Sequence, residues 1–389
     1  MKSLRNFVDK IKPNFEKGGK LEIFHSTFEG FETFLFVPNK VTQKGSHIRD
    51  AIDLKRTMII VVMALVPALL FGIWNVGYQQ ALATGGSIDF WPIVLFGLGK
   101  VLPIIVVSYV VGLGIEFGFA QVRGHEINEG FLVTGMLIPL IVPVDIPLWM
   151  VALATVFTVV IGKEVFGGTG MNIFNPALLA RAFLFFAYPS HMSGDNVWVA
   201  GLTKGEGIID GFSGATPLAN AAVYEIDKIP SAMDMFLGFT PGSIGETSTL
   251  AILIGAFILI LTGMGSWKII ASTVLGGLTM GVIFNAFAIN PFMEIPAWHH
   301  LIMGGFAFGA VFMATDPVTA SQTEKGKWIY GFLIGLLAVL VRVVNPAYPE
   351  GMMLSILLMN AFAPLIDHYV IQANIKKRKK RAATAAKNS

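Results

Sequence analysis

The stretch TMIIVVMALVPALLFGIWNV, residues 57–76, contains twenty consecutive residues without a charged side chain. An α-helix needs roughly 20 apolar residues to cross the hydrocarbon core of a bilayer. Over the whole chain of 389 residues, 54% are hydrophobic and 14% are charged, whereas about 25% are charged in a typical soluble domain. The sequence therefore predicts an all-α polytopic membrane protein.

Further apolar runs extend this pattern to about ten candidate membrane helices. Five of them precede a long polar stretch and five follow it, so that the second set returns the chain to the side where it began. The predicted spans are 57–76, 92–114, 130–144, 147–164, 173–189, 249–265, 268–289, 299–315, 328–344 and 351–371.

Basic residues are distributed unevenly around these spans. Residues 1–56 contain eleven Lys and Arg, residues 372–389 contain seven, and residues 190–248 contain two. Lys and Arg are enriched in the cytoplasmic loops of membrane proteins. The sequence therefore predicts a cytoplasmic N-terminal segment (1–56), a basic cytoplasmic tail (372–389) and a non-cytoplasmic loop (190–248), which separates membrane unit 57–189 from membrane unit 249–371.

A weak internal repeat relates the two membrane units. Its offset is about 175 residues, so that helices three to five match helices eight to ten in the opposite orientation. Inverted repeats are common in transporters, whose binding sites lie near the midplane at the repeat interface. The matching pairs are Gly130-Phe131 with Gly305-Phe306, Trp149 with Trp328, Lys163 with Arg342, and NPA at 175–177 with NPA at 345–347.

Several ionisable side chains lie within or beside the predicted spans, where charge is costly and a function is the default hypothesis. Glu116 and Asp367 are each candidates for a cation or proton site, or for an ion pair or an interfacial position. Arg181 requires a carboxylate, carbonyl groups or an anionic ligand. Lys163 and Arg342 lie near predicted helix ends, where snorkelling towards water explains a basic residue without a function.

Two polar segments interrupt the apolar runs at predicted membrane depth. The stretch GKEVFGGTGMNIFNP, residues 162–176, is typical of a glycine-rich re-entrant elbow, because irregular backbone at that depth must be buried or line a cavity. The stretch MATDPVTAS, residues 313–321, is its predicted counterpart, and Asp316 is expected to cap a helix there. Neither segment has the pattern of a nucleotide-binding P-loop.

The chain contains no cysteine. This excludes disulfides, Cys-ligated iron–sulfur clusters and thioether-bound haem on this chain. Any redox group that it carries must be held by another kind of side chain.

The stretch DGFSGATPL, residues 210–218, lies in the polar loop between the two units. A turn of this composition most often uses a hydroxyl such as that of Ser213 or Thr216 to cap a following helix. It also matches the pattern D-x-x-[ST]-G-A-[ST], and so resembles the acceptor motif of flavin transferases, which couple FMN through its phosphate to the last hydroxyl of the motif. The motif residues are Asp210, Ser213, Gly214, Ala215 and Thr216.

The similarity extends over nearly the whole chain. The sequence resembles the NqrB/RnfD family, and within it the NqrB subunits of the sodium-translocating NADH:quinone reductases. The segments that carry the resemblance are FEKGGKLE, SHIRDAIDLKR, HEINEGFLVTGMLIPLIVP, KEVFGGTGMNIFNPALLARAFLFFAYP, PGSIGETSTLA, GGFAFGAVFMATDPV and RVVNPAYPEGMMLSILL.

The resemblance implies cofactors and site residues. It implies covalent FMN on Thr216, a non-covalent riboflavin at a site that the sequence does not locate, and Na⁺ as the transported ion. Residues matching Gly112 and Glu116 are tied in the family to quinone and sodium handling, and a residue matching Asp367 to sodium uptake. Leu113 stands where a second glycine is usual, which leaves the detailed quinone contacts open.

The resemblance also implies partners and a location. The expected partners are NqrA, NqrC, NqrD, NqrE and NqrF, a quinone, a flavin transferase and membrane lipid, with no nucleic acid. The expected location is the bacterial inner membrane, with both termini in the cytoplasm. The alternatives are an RnfD-type subunit of a ferredoxin-linked complex, a flavin-free ten-helix transporter or channel, and a membrane scaffold without chemistry.

Overall fold

The protein is an α-helical bundle, described here from a computed structural model. The described residues are 2–16, 18–25, 28, 32, 36, 42, 44–46, 54–124, 130–205, 208–209, 211–345 and 351–388. Helix accounts for 71% of the structure, and the described residues contain no strand. The prediction of an all-α polytopic membrane protein is confirmed.

The described residues form twelve helices of six or more residues. They are α1 (Lys2–Ile11), α2 (Leu54–Thr84), α3 (Phe90–Arg123), α4 (Phe131–Leu140), α5 (Leu148–Val160), α6 (Pro176–Ala187), α7 (Pro217–Ala222), α8 (Ala232–Leu237), α9 (Thr249–Leu261), α10 (Trp267–Phe287), α11 (Glu324–Val344) and α12 (Gly351–Asn388). Short helical turns occupy much of the remaining loops.

Six helices in the described part of the chain are long and apolar enough to cross a membrane, namely α2, α3, α5 with its short extension to Phe166, α10, α11 and α12. Three predicted spans form shorter apolar helices of 10, 12 and 13 residues, which are α4, α6 and α9. Helices of this length rise only about 15–20 Å. They are shorter than the hydrocarbon core, which is about 30 Å thick.

The remaining predicted span, 299–315, is not one continuous helix. It consists of the turn His299–Ile302, the turn Phe306–Phe308 and a π-helical turn, Gly309–Met313. Every residue of that π-helical turn is buried. This burial allows an irregular backbone at membrane depth. We refer to residues 299–313 as the broken segment.

Most of the helix pairings in the first membrane unit recur in the second, although the pairing of α2 with α3 has no comparably extensive counterpart between α9 and α10. In the first unit, α3 packs on α5, α5 on α6, α2 on α4, α3 on α4, and α4 on α6. In the second, α10 packs on α11, α11 on α12, and the broken segment on α9, α10 and α12. Matching helices also meet across the units, α2 with α9 and α6 with α12. These pairings are the ones that the predicted repeat requires.

The glycine-rich elbow joins α5 to α6. A 3₁₀ turn, Glu164–Phe166, is followed by Gly167, Gly168 and Gly170, all with positive φ. Glycine adopts this backbone conformation without the steric cost that a Cβ imposes. Asn175 then caps α6, because its side-chain oxygen accepts hydrogen bonds from the backbone N–H groups of the next turn.

The last helix does not end at residue 371, where the predicted span ends. Helix α12 continues to Asn388 and includes the basic run KKRKKR. Within this extension, the side chains described from residue 372 to residue 384 are exposed. The predicted basic tail is therefore a continuation of the last helix.

Close contact between α10 and α11 depends on small residues. A Cβ on Gly276 would overlap the carbonyl oxygen of Phe332, and a Cβ on Gly335 would overlap the carbonyl oxygen of Thr273. Small residues at helix interfaces let backbones approach closely in membrane proteins. These two glycines therefore set the distance between the helices.

We expect Gly276→Ala and Gly335→Ala each to destabilise the folded protein by about 1–3 kcal/mol, because the added methyl group forces the helices apart. The thermal midpoint of the purified protein in detergent, compared with wild type, measures the effect. Gly99→Ala in α3 is the matched control, since a Cβ there meets nothing within 4 Å. An equal loss in the control variant would contradict this account of the α10–α11 crossing.

Candidate functional site

The predicted acceptor loop forms a tight turn that leads into α7. The Ser213 hydroxyl accepts a hydrogen bond from the backbone N–H of Ala215 at 3.2 Å, and Thr216 Oγ1 accepts one from the N–H of Ala219 at 3.1 Å. Thr216 is thus the N-cap of α7, as the simplest interpretation of the sequence expects. Gly214 is buried, and a Cβ there would overlap the carbonyl oxygen of Asp195. Asp210 lies outside the described residues.

Thr216 also lines a cavity, which we call the Thr216 cavity. The space between its lining atoms is about 810 Å³, part of which is open to solvent. The acceptor loop, the 240–247 loop, the broken segment, α6, α11 and α12 all contribute to its wall. The lining residues on which the argument depends are Thr216, Arg181, Ser243, Glu246, Thr247 and Arg342.

A buried ion pair lies in the wall of this cavity. Arg181 Nη1 donates to Glu246 Oε1 at 2.7 Å, and Nη2 donates to the Ser243 hydroxyl at 3.4 Å. The two charged side chains are 5% and 10% exposed. The predicted need of Arg181 for an anionic or carbonyl partner is confirmed. Gly305 makes room for this pair, since a Cβ there would press against the Glu246 carboxylate.

Arg342 does not snorkel to water as the sequence suggested. It is 1% exposed and donates to the backbone carbonyls of His300 and Met303 at 2.9 and 3.3 Å. Its guanidinium group lies 5.7 Å from the centre of the Phe306 ring. The broken segment therefore supplies carbonyl groups that hold a basic side chain inside the protein.

One polar group in the wall of the Thr216 cavity has no hydrogen-bond partner among the described residues. Thr247 lines it, and its hydroxyl is buried without a hydrogen-bond partner among the described residues. Buried hydroxyl groups are normally hydrogen-bonded, so an unsatisfied one requires an explanation. A polar ligand in the cavity would supply the missing partner. The wall of the cavity thus combines apolar side chains with hydroxyl groups and a fixed guanidinium group.

A second cavity of about 860 Å³ lies elsewhere in the bundle and is lined by Asp316, and we call it the Asp316 cavity. It includes Thr57 and Met58 at the start of α2. The wall of the Thr216 cavity contacts α2 much further along, where Asn75 Nδ2 donates to the carbonyl of Thr240. Seventeen helical residues correspond to about 25 Å of rise, so the cavities lie at different depths.

Residues that the predicted repeat pairs with one another line the two cavities. Gly130, Thr134 and Lys163 line the Asp316 cavity, and their counterparts line the Thr216 cavity. These counterparts are Gly305, Gly309 and Arg342, at offsets of 175, 175 and 179 residues. Each unit thus contributes a glycine, a second small residue and a buried basic side chain to a different cavity.

Polar side chains connect the two units beside the Asp316 cavity. Asp316 accepts hydrogen bonds from the Val318 N–H and the Thr319 hydroxyl. These bonds close a turn, and no helix begins before Glu324, so the expected helix cap at Asp316 is not formed. Asn175 Nδ2 also donates to the Asp316 carboxylate at 3.3 Å. The backbone N–H of Asn175 donates to Asn360 Oδ1 at 3.1 Å, which ties α6 to α12.

Gly112 and Glu116 lie together in the middle of the first unit. A Cβ on Gly112 would overlap the ring of Phe131, so that this glycine allows α4 to approach α3. The Glu116 carboxylate forms an ion pair with Lys163, and both side chains are buried. Lys163 therefore does not snorkel, and the ion-pair alternative for Glu116 holds in this structure.

Asp367 lies apart from Glu116. Its carboxylate accepts hydrogen bonds from the Ser321 hydroxyl at 2.6 Å, from the Gln322 N–H at 2.7 Å and from the Thr323 N–H at 2.9 Å. These bonds fasten α12 to the loop before α11. No group of three or more His, Asp or Glu side chains that could hold a metal ion occurs in the described part of the chain.

Sequence reasoning did not identify the partners of the buried charges. Glu246 lies 65 residues from Arg181, and Lys163 lies 47 residues from Glu116. Glu246 stands in PGSIGETSTLA, one of the segments that carry the family resemblance, but nothing in the segment indicates its partner. The position of Thr247 and the existence of two cavities also required the structure.

The fold and the cavities define a class of protein. The chain is a polytopic membrane protein whose bundle of long and half-length helices contains two cavities with buried charged side chains in their walls. More particularly, the chain belongs to the NQR2, RnfD, RnfE family, whose model matches residues 41–376. The family resemblance predicted from the sequence is confirmed.

Individual relatives extend the match to nearly the full chain. The NqrB protein of the Na(+)-translocating NADH-quinone reductase from Pseudomonas aeruginosa (strain LESB58) is 50% identical over 96% of this chain and 98% of its own length. The NqrB protein from Azotobacter vinelandii (strain DJ / ATCC BAA-1303) has the same identity and coverage. The NqrB protein from Chromohalobacter salexigens is 49% identical over 98% of this chain and 97% of its own length.

The buried pair of Glu116 and Lys163 gives a test of the site geometry. We expect Lys163→Met and Glu116→Gln each to lower the thermal midpoint strongly, because removing one partner from a buried pair costs about 3–5 kcal/mol. The double variant should be closer to wild type than Lys163→Met, since it leaves no uncompensated carboxylate. Differential scanning fluorimetry of the purified protein measures all three.

Lys228→Gln is the control for this prediction. Lys228 pairs with Glu225 on the surface, where the two side chains are 66% and 46% exposed. Exposed pairs contribute about 0–1 kcal/mol, so this variant should be close to wild type. Strictly additive losses in the Glu116 and Lys163 double variant would contradict a direct interaction between the two charges.

Proposed function

We propose that this chain is NqrB, a membrane subunit of a sodium-translocating NADH:quinone reductase. In this proposal it carries FMN on Thr216 and passes electrons towards quinone while sodium moves outward. The observation that carries the proposal is the place of Thr216, which is both the last residue of a sequence that matches a flavin-acceptor motif and part of the wall of a cavity that also contains Arg181 and Thr247. The NqrB relatives, aligned over 96% of the chain, support it.

Attachment to Thr216 is compatible with the local structure. A phosphoester at Oγ1 would replace the hydroxyl proton, while the oxygen could still accept the hydrogen bond from the N–H of Ala219. Arg181 and Thr247 supply donors in the same cavity. The bound flavin would supply the electron-transfer chemistry, and the protein would supply its position and electrostatic environment.

We also propose a site for the second flavin. The Asp316 cavity has a volume of about 860 Å³ and combines apolar walls with the side chains of Lys163, Asn172 and Asp316. Riboflavin has no phosphate, and its ribityl hydroxyl groups need polar partners of this kind. Flavins bound in the two cavities would then carry electrons between different depths of the membrane.

Sodium handling is assigned to Glu116 and Asp367, with Gly112 shaping the surroundings of Glu116. The ion pair between Glu116 and Lys163 places a condition on this assignment. Because an ammonium group already neutralises the carboxylate, a sodium ion can bind there only when Lys163 moves away. Asp367, which is partly exposed, lies where an ion can arrive from water.

The proposed orientation follows from the charge distribution. Both termini, rich in Lys and Arg, would be cytoplasmic in a bacterial inner membrane, and the Thr216 loop would be on the opposite side. The subunits NqrA, NqrC, NqrD, NqrE and NqrF would complete the enzyme, with quinone as electron acceptor and a flavin transferase to load Thr216. An RnfD-type subunit is the alternative within the family, but the NqrB relatives align with the chain almost from end to end.

The attachment of FMN predicts a fluorescent polypeptide. In a denaturing gel under ultraviolet light, we expect a fluorescent wild-type band of about 42 kDa and a dark Thr216→Ala band, because alanine has no hydroxyl group to esterify. The protein should be expressed in its native host or with the transferase. A dark wild-type band would reject covalent FMN and favour a flavin-free transporter.

Thr323→Ala is the matched control for this experiment. Thr323 is the N-cap of α11 and accepts a hydrogen bond from the Gly326 N–H at 3.1 Å, just as Thr216 caps α7. Both alanine variants lose a cap, at a cost of about 0.5–2 kcal/mol. Only Thr216→Ala should lose the fluorescence, which separates attachment from stability.

Coupling of electron transfer to sodium predicts a dependence of flavin potential on sodium. If flavin reduction raises the affinity for sodium, then sodium must raise the reduction potential by the same coupling free energy. A redox titration of the assembled complex in sodium buffer should therefore give a higher flavin midpoint than one in choline buffer of equal ionic strength. Equal midpoints would rule out thermodynamic coupling through the flavins.

A further inference from the structure

We infer that Arg181, one of two basic residues with Arg342 in the wall of the Thr216 cavity, raises the reduction potential of the flavin held there, and that Glu246 is the residue that holds Arg181 in place. The inference rests on the proposed function, because it presupposes that a flavin is attached to Thr216. It concerns a different property of the site, namely the free energy of electron uptake rather than attachment.

The inference depends first on the positions of Arg181 and Thr216. Arg181 and Thr216 line the same cavity, although they lie on different elements, α6 and the start of α7. The surfaces between them are continuous, since Gly304 contacts Leu218 in α7 and the neighbouring Gly305 contacts the carboxylate of Glu246. A group tethered at Thr216 and lying in the cavity therefore shares its walls with the guanidinium group.

The guanidinium group of Arg181 is also held in a fixed position. Arg181 is held at its Nη1 by Glu246 and at its Nη2 by Ser243. Its side chain is 5% exposed, so water does not screen its charge as it would on the surface. The glycine at position 305 is required for this arrangement, because a side chain there would push the carboxylate away. The charge is thus fixed before any electron arrives.

The charges of Arg181 and Glu246 affect flavin reduction through electrostatic interaction. A reduced flavin carries more negative charge than an oxidised one, so a nearby cation stabilises the reduced form. A carboxylate nearby has the opposite effect. Such interactions are stronger in a buried site than in water, because the effective dielectric constant is lower. Arg181 should therefore raise the reduction potential of the attached flavin, and Glu246 should lower it while keeping Arg181 in position.

This reasoning predicts effects of opposite sign. We expect Arg181→Gln to weaken the preference for the reduced flavin at least tenfold, which is a fall of about 59 mV for a one-electron step. Glu246→Gln should shift the potential upwards, because it removes a negative charge and keeps the shape of the side chain. Arg181→Lys should lie close to wild type, since it retains the positive charge.

The measurement is a redox titration of the assembled complex, followed by absorbance with dithionite and mediators. Subtracting the titration of the Thr216→Ala complex isolates the flavin attached to Thr216 from any other flavin in the complex. Arg123→Gln is the control, because Arg123 pairs with the buried Glu164 at 2.8 Å and lines neither cavity. It should leave the isolated potential unchanged.

In-gel fluorescence of each variant tests the attachment of FMN to Thr216 separately from the effect of Arg181 on the reduction potential. A dark wild-type band would reject the proposed attachment. Fluorescent bands with equal potentials in all variants, or with Arg181→Gln and Glu246→Gln shifted in the same direction, would overturn the role of Arg181 and leave attachment intact. If the Arg181→Gln complex fails to assemble, the reduction potentials of the Glu246→Gln and Arg181→Lys complexes test the role of Arg181. An upward shift in Glu246→Gln and a potential close to wild type in Arg181→Lys support it, and any other result overturns it.

Discussion

Polar groups at membrane depth must find their partners within the protein, because lipid offers none. This requirement explains the positions of the charged side chains in the bundle. Arg181 pairs with Glu246, and Lys163 pairs with Glu116. Arg342 lies against backbone carbonyls of the broken segment, so even a break in a helix serves to satisfy a buried charge. Each pair joins two elements that are distant in sequence, and so fixes how they pack.

The same requirement locates the cavities. Helices α4, α6 and α9 are shorter than the membrane is thick, and the ends of short helices leave polar backbone groups that must be covered. The π-helical turn of the broken segment is buried, whereas the glycine-rich elbow is only partly buried, with Lys163 and Glu164 inside the protein and Val165 and Phe166 exposed. Space remains between these irregular segments and the long helices, and both cavities lie there. Two cavities with this kind of wall occur, as the predicted repeat leads one to expect.

The sequence predicted the class of fold, the apolar stretches and the capping turn at Ser213 and Thr216 well. Each of these depends on neighbouring residues, and the resemblance to the family is likewise read from contiguous segments. Hydropathy could not show that the run 130–144 forms a helix only as far as Leu140, because an apolar residue looks the same in a helix and in a buried turn. Nor could it distinguish a snorkelling Lys163 from a buried one, because the deciding partner, Glu116, is 47 residues away.

The structure also clarifies what a covalent tether would contribute at Thr216. Linking a group to the wall of its own cavity makes binding intramolecular, with an effective concentration in the millimolar range for a short flexible link. The cavity then needs little intrinsic affinity, and its side chains are free to serve another purpose. A fixed guanidinium group and an unsatisfied hydroxyl, on Arg181 and Thr247, are suited to discriminating between charge states of the cofactor. In the proposed arrangement, retention by Thr216 and tuning by Arg181 would therefore be separate tasks, assigned to residues on separate elements.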